Sequence, residues 1–192
     1  MRIGVLAVQG AFEEHIDVLR RLGAETVELR QLHDIKDLDG LVLPGGESTV
    51  QGKIIRETGM FEPLHELISE GVPVLATCAG LILLSERLSN DRNVWFGTLP
   101  VTVRRNAYGR QLGSFETVGD VGDIRKFPEV FIRAPYIESV GEGVTVLSSF
   151  EDHVTGVRFG CQIGLSFHPE LTADTRVHEY FLSLISQIAY SV

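Results

Sequence analysis

Val72-Pro73-Val74-Leu75-Ala76-Thr77-Cys78-Ala79-Gly80-Leu81 is a short apolar run that ends on a cysteine set between small residues. A further apolar, helix-like segment, Leu81 to Leu88, follows it. A buried strand, a sharp turn with a nucleophile at its tip and then a helix make up a nucleophile elbow. Ala76, two before the cysteine, and Gly80, two after it, leave the room that the two glycines leave in G-x-S-x-G. A thiolate at that turn would face a helix N-terminus, whose free N–H groups and dipole favour an anion. The same stretch also reads as a strand carrying a buried structural thiol, because free cysteine is among the most buried residue types. The rest of the chain decides between the two.

Upstream, Arg2 to Val8 is almost continuously apolar, as a central parallel strand is, and Gln9-Gly10 makes a turn. From Ala11 to Leu22 the spacing predicts a helix with Phe12, Ile16, Leu19 and Leu22 on one face, closed by Gly23. Ala24 to Leu29 and Leu41 to Leu43 read as further strands, so the first part predicts an α/β fold with a parallel sheet. Pro44-Gly45-Gly46-Glu47-Ser48-Thr49 follows the third strand. Paired glycines turn sharply and offer N–H groups to an anion, although a Gly-Gly pair alone is equally a plain turn. A phosphate-binding P-loop is excluded, because Ile54 follows Gly52-Lys53 where Ser or Thr is required and Glu47 replaces the first glycine.

Downstream, Ile54 to Glu70 reads as a helix in two pieces, broken near Gly59 and Pro63. Beyond Trp95 the pattern alternates at Val101 to Val103 and Ser114 to Val118, with a turn at Tyr108-Gly109-Arg110. This predicts antiparallel strands inserted after the elbow helix. Val130 to Arg133 and Val144 to Leu147 are further strands, and Val154 to Phe159 with Cys161 to Phe167 form a hairpin around Gly160. Thr172 to Tyr190 reads as a closing helix, with Thr172 as N-cap and Val177, Phe181, Leu184, Ile185 and Ile188 buried. No repeat or linker interrupts residues 1–192, which predicts one domain, and 192 residues suffice for a substantial core.

The net charge of −9 argues against a nucleic-acid backbone as the main partner. No apolar run is long enough to span a bilayer, and Gln9, Gly10, Glu13 and Glu14 interrupt the first one too early for a signal peptide, so a cytoplasmic protein is expected. Two cysteines, Cys78 and Cys161, form no disulfide framework, and Cys161 reads as core packing inside an apolar strand. His15, His33, His65, His153 and His178 show no metal-ligand spacing, so neither a metal nor a cofactor is expected.

Phe167-His168-Pro169-Glu170 supplies what the cysteine needs. In an extended segment, residues two apart face the same way, so His168 and Glu170 can enter one cleft. A thiol nucleophile needs a base, and the base needs a group that fixes its tautomer, which gives Cys78, His168 and Glu170 complementary roles. Ala79 N–H and an N–H of the Gly45-Gly46 loop, Gly46 being the candidate, would form an oxyanion hole. Loop and elbow can share one crevice, because ligands of open α/β sheets bind at the carboxyl ends of strands. Arg105 and Arg133 each follow an apolar run and could close on a carboxylate, or be plain surface charges.

With these stretches together, the chain resembles the class I (triad) glutamine amidotransferases. Within that class it is similar to the glutaminases that serve pyridoxal 5′-phosphate synthases. The resemblance rests on Gly4 to Ala11, Leu43 to Thr49, Thr77 to Leu81, Arg105-Asn106, Phe131 to Pro135 and Ser166 to Glu170. It implies a flavodoxin-like three-layer sandwich with a mostly parallel central sheet and an antiparallel insertion. It implies hydrolysis of L-glutamine through a glutamyl thioester on Cys78, with Gly46, Glu47, Ser48, Arg105, Ile132 and Arg133 holding the substrate. It further implies that the ammonia passes to a barrel-shaped synthase subunit in a hetero-oligomer, docked on the Gln9-Gly10 turn and the helix after it. Ala76 and Tyr136 depart from that pattern, where relatives commonly carry Gly and His. One rival is a glutaminase of the same class that feeds a different acceptor, against which the branch-specific stretches argue. A cysteine redox sensor on a similar sheet is a second, but it leaves His168-Pro169-Glu170 without a role, and a scaffold that has lost turnover is a third.

Overall fold

The computed structural model describes residues 1–105 and 113–189. Asn106, the turn expected at Tyr108-Gly109-Arg110 and the helix end at Tyr190 lie outside the described residues. The first half runs β1 (Arg2–Leu6), α1 (Phe12–Arg21), β2 (Glu25–Leu29), β3 (Gly40–Leu43), α2 (Ser48–Glu57), α3 (Phe61–Ser69), β4 (Val74–Thr77) and α4 (Ala79–Leu84). The second half runs β5 (Ser85–Leu88), β6 (Leu99–Arg104), β7 (Ser114–Val121), β8 (Ile124–Ile132), β9 (Tyr136–Val140), β10 (Thr145–Phe150), β11 (His153–Phe159), β12 (Gln162–Leu165) and α5 (Arg176–Ala189).

The sheet order is β2-β1-β3-β4-β12-β11-β9-β6-β5, with β10 on β11. From β2 to β12 every pairing is parallel. From β12 onward the sheet turns antiparallel through β11, β9 and β6. Beside it, β7 and β8 form a separate antiparallel hairpin.

Three layers follow from the alternation of strand side chains across the sheet. Val5, Val42, Leu75 and Ile163 point to one face and pack with Ile16 and Leu19 of α1 and Val177, Phe181 and Leu184 of α5. Leu6, Leu41, Leu43 and Ala76 point to the other and pack with Ile55 of α2, Leu64 and Ile68 of α3 and Leu81 of α4. Because both faces are covered, the strands carry the unbroken apolar runs seen in the sequence. The hairpin adds Phe127 and Phe131 to the α1/α5 side, stacked around Phe115, Phe150 and Phe167.

Several expectations need correction. The first piece of the split helix starts at Ser48, not Ile54, because its buried face holds Ser48, Gln51 and Gly52 and so carries little apolar signal. The break falls at Thr58 to Met60, and Pro63 sits in the first turn of α3, where a missing N–H costs nothing. The segment Leu81 to Leu88 is not one helix: α4 stops at Leu84, and Ser85–Leu88 pairs with β6. A continuous apolar run has no period by which to tell these apart. The last helix starts at Arg176, and Thr172 is not its N-cap. The Thr172 hydroxyl instead donates to Pro169 O at 3.0 Å, closing the 3-10 turn Pro169–Leu171. Cys161 is half-buried in the turn before β12, where its thiol donates to Gly71 O at 3.0 Å, and not a strand core residue. Strand β9 was not anticipated. Tyr136 opens it, and its ring lies flat on His153 with centroids 4.0 Å apart.

Candidate active site

Four parallel strands, β1, β3, β4 and β12, deliver their carboxyl ends to one rim of the sheet. The chain leaves β1 toward β2 on one side and returns to β3 on the other, so the loops after β1 and β3 part at a topological switch point. There the loops are tied together. Ala11 N–H donates to Gly45 O at 3.1 Å, and Glu47 N–H to the Gln9 side-chain oxygen at 2.7 Å. The Gln51 amide donates to Gln9 O at 2.9 Å. Gly10, at φ +101°, lies so close that any Cβ would overlap Gly45 O.

Cys78 stands one residue beyond β4 with φ +48° and ψ −100°. A non-glycine residue at such angles is strained by about 1–3 kcal/mol, and such strain collects at functional sites. The conformation is held on both sides. Cys78 N–H donates to Leu165 O on β12 at 2.8 Å, and a Cβ on Gly80 would overlap Leu43 O at the end of β3. The elbow therefore forms because α4 sits directly on the sheet end. Ala79 is the first residue of α4, so its N–H has no partner within the helix and is free for an oxyanion.

His168 follows β12. Its backbone N–H donates to Val130 O of β8 at 2.8 Å, so the hairpin fixes the position of the ring. Gly45 packs against that ring with no room for a Cβ. His168 Nδ1 bonds Glu170 Oε1 at 2.7 Å, which leaves Nε2 for Cys78. Burial works to lower the His168 pKa, but hydrogen bonds and charge from Cys78 and Glu170 outweigh it and raise the pKa to about 10. Burial likewise works to raise the Glu170 pKa, and His15 and His168 bring it below the usual carboxylate value.

The cleft above these groups holds about 210 Å³, the share of several waters. Its walls are Gln9 to Ala11, Gly45 to Ser48, Cys78, Ile82, Arg105, Ile132, Arg133, Pro135 and His168. The structure thus brings Cys78, His168, Gly46, Glu47, Ser48, Arg105, Ile132 and Arg133 to one opening, with Glu170 directly behind His168. The buried Ser48 hydroxyl has no hydrogen-bond partner among the described residues. Arg105 is braced by Asp91 at 2.6 Å and by the Asn90 side-chain amide, which donates to Arg105 O and accepts from Arg105 N–H. Arg133 has φ +43° and opens beside Ile132 at the end of β8. Among the described residues no cluster of acidic, histidine and cysteine side chains has the form of a metal site.

Sequence reasoning passed over His15 and His178. Both are fully buried behind Glu170, His15 on α1 and His178 on α5. The signal was present: His15 shares a helix face with Phe12, Ile16 and Leu19, and His178 with Phe181 and Ile185. It also passed over the brace on Arg105 and the Val130 bond to His168, for which the sequence carries no local sign.

A model of the SNO glutamine amidotransferase family matches residues 5–187. The chain is 63% identical to "Pyridoxal 5'-phosphate synthase subunit PdxT" of Desulfitobacterium hafniense (strain Y51), over 97% of this chain and 94% of that one. It is 54% identical to the protein of the same name from Bifidobacterium longum (strain NCC 2705), over 94% and 99%. A solved structure described as a glutamine amidotransferase superimposes with a TM-score of 0.91 at 44% identity, covering 96% of this chain and 98% of that one. A glutamine amidotransferase from Thermotoga maritima, at 19% identity and TM-score 0.60 over 98% of this chain and 85% of that one, shares the fold. The elbow, the paired loops and the buried His168–Glu170 bond thus lie within a chain that belongs to the SNO glutamine amidotransferase family.

Proposed function

We propose that this chain is one glutaminase domain, residues 1–192, that hydrolyses L-glutamine to L-glutamate and ammonia and hands the ammonia to a pyridoxal 5′-phosphate synthase subunit. The observation that carries the chemistry is the 2.7 Å bond from His168 to Glu170, with His168 and Cys78 lining the same cleft. The near full-length identity to synthase subunits supports the partner. The synthase would be a barrel protein joined to this chain in a hetero-oligomer. A cytoplasmic location suits the chemistry, because Cys78 and Cys161 stay reduced there.

Arg105 and Arg133 hold the α-carboxylate of glutamine, and the Gly46-Glu47-Ser48 loop holds its polar groups. The Cys78 thiolate attacks the side-chain carbonyl carbon. The resulting oxyanion accepts N–H bonds from Ala79 and Gly46. With a pKa near 10, His168 carries a proton at neutral pH and delivers it to the departing nitrogen as the C–N bond breaks. Ammonia leaves, and a glutamyl thioester remains on Cys78. His168, now neutral, takes a proton from water, and the hydroxide equivalent adds to the thioester. Collapse releases glutamate and regenerates the thiolate–imidazolium pair. Glu170 holds the imidazolium through both halves.

The test is glutamate release from glutamine, by the chain alone and in the presence of the synthase. Turnover that rises with the synthase and vanishes in Cys78→Ala, while Cys78→Ala still co-elutes with the synthase, is the expected result. Substantial turnover in Cys78→Ala would overturn the nucleophile assignment, and turnover indifferent to the synthase would overturn the partner.

A further inference from the structure

We propose that His15, itself oriented by His178, is a positioning residue that holds Glu170 as a carboxylate aimed at His168. The proposal rests on the glutaminase reading above and adds a relay behind it. His15 Nε2 lies 3.2 Å from Glu170 Oε2 and 3.2 Å from Thr77 Oγ1. His15 Nδ1 lies 2.9 Å from His178 Nε2. The side chains of His15 and Glu170 are wholly inaccessible to solvent. Glu170 Oε1 is taken by His168, and among the described residues Oε2 has no aligned hydrogen bond. His15 Nε2, whose aligned bond runs to Thr77 Oγ1, lies 3.2 Å from Oε2 and is the donor nearest to it.

The tautomers follow by exclusion. A carboxylate only accepts, so His15 must carry its proton on Nε2. Its Nδ1 is then an acceptor, and His178 must donate from Nε2. The remaining nitrogen, His178 Nδ1, is then an unprotonated lone pair, in keeping with its having no hydrogen-bond partner among the described residues. Both rings are neutral in this arrangement. Burial lowers the pKa of each, overriding Glu170 in both cases, and brings His178 to about 3. The other charges facing the pair are His168 and Glu14 around His15 and Arg21 around His178.

One ring thus touches three parts of the site. It meets the orienting acid directly. It meets Thr77, the residue before the nucleophile, whose hydroxyl accepts Gly45 N–H at 3.1 Å from the loop under the His168 ring. Through His178 it ties α1 to α5, so the carboxylate is set by the packing of two helices and not by its own turn alone.

Removing His15 takes away the N–H that lies 3.2 Å from the buried Glu170 Oε2, so the carboxylate form is disfavoured and Glu170 protonates at higher pH. The test uses the complex with the synthase and compares wild type, His15→Leu, His15→Gln and His178→Phe. In His15→Leu, kcat is expected to fall about 10- to 100-fold, the usual effect of losing a residue that orients a functional one. The KM for glutamine stays within about twofold, and the acid limb of the kcat/KM profile moves up by about one pH unit. His15→Gln, which keeps a donor at the Nε2 position, restores most of both, and His178→Phe falls between. Nitrogen-15 histidine spectra of the wild type should show His15 and His178 as neutral Nε2–H tautomers at pH 6.

An unmoved acid limb in a folded His15→Leu, or equal losses in Leu and Gln, would overturn the relay. So would an Nδ1–H tautomer at His15, which can be read even where a variant fails to fold. Absence of wild-type turnover would instead overturn the glutaminase reading, while the spectra still judge the tautomers.

Discussion

Cys78 is held at φ +48° by the Leu165 carbonyl on one side and the seat of Gly80 on the other, and that strain exposes its sulfur to His168. The quality of the pair depends on Glu170, which is buried, charged and bonded at 2.7 Å. Glu170→Gln keeps the shape and removes the charge. It takes away one of the two supports that lift the His168 pKa, and it permits the wrong imidazole tautomer. Its kcat is expected to fall by at least about a hundredfold with little change in KM. Steady-state kinetics across pH would check this, and a loss under about threefold would remove Glu170 from the proposed mechanism.

At the scale of elements, the elbow is a contact between α4 and the end of β3. A six-residue helix has little stability of its own, so its position comes from packing. Gly80 is where that packing is tightest, since an added Cβ would meet the Leu43 carbonyl and not the yielding end of a side chain. Gly80→Ala is expected to destabilise the protein by about 1–3 kcal/mol, the usual range for overpacking, and to cut turnover by displacing Cys78 and the Ala79 N–H. Urea unfolding and the glutamate assay would measure the two effects. Gly23→Ala makes the contrast: Gly23 has φ +84° but open space around it, so the cost there is conformational and turnover should persist.

For the whole molecule, two neutral histidines sealed between α1 and α5 make stability depend on pH. The folded pKa of each lies below its unfolded value of 6.5. Above pH 6.5 neither state binds a proton there, so the contribution is complete. As pH falls below 6.5, the unfolded chain takes up protons that the folded core refuses, and stability declines toward the folded pKa, about 3 for His178. The slope is about 1.4 kcal/mol per pH unit for each histidine. Urea midpoints should therefore fall between pH 6.5 and 5, and His178→Phe should flatten the decline. A midpoint constant over that range would show that the two rings are not held neutral.

Much of this protein was legible from local sequence. The parallel strands declared themselves as apolar runs because both faces of the sheet are covered. The elbow declared itself because a tight turn tolerates only small neighbours around Cys78. His168 and Glu170 could be paired by their spacing across Pro169. The paired glycines marked the loop that must approach His168 and Gly10. Other features were not legible. Ser48 to Lys53 hid a helix start behind a polar buried face, and Leu81 to Leu88 hid a helix-to-strand change inside a uniform apolar run. His15 and His178 looked like two isolated histidines on apolar helix faces. They are 163 residues apart in the chain and 2.9 Å apart in the fold. The sequence by itself determined most of the parallel strands, the α/β class and the candidate residues Cys78, His168 and Glu170, because those follow from backbone preference, hydrophobic period and close spacing. Only the tertiary structure decided which donor stands behind Glu170, which carbonyl holds His168 and which acid braces Arg105. Those contacts join distant segments, and it is the packing of α1, α5 and the β7–β8 hairpin against the sheet that brings them together.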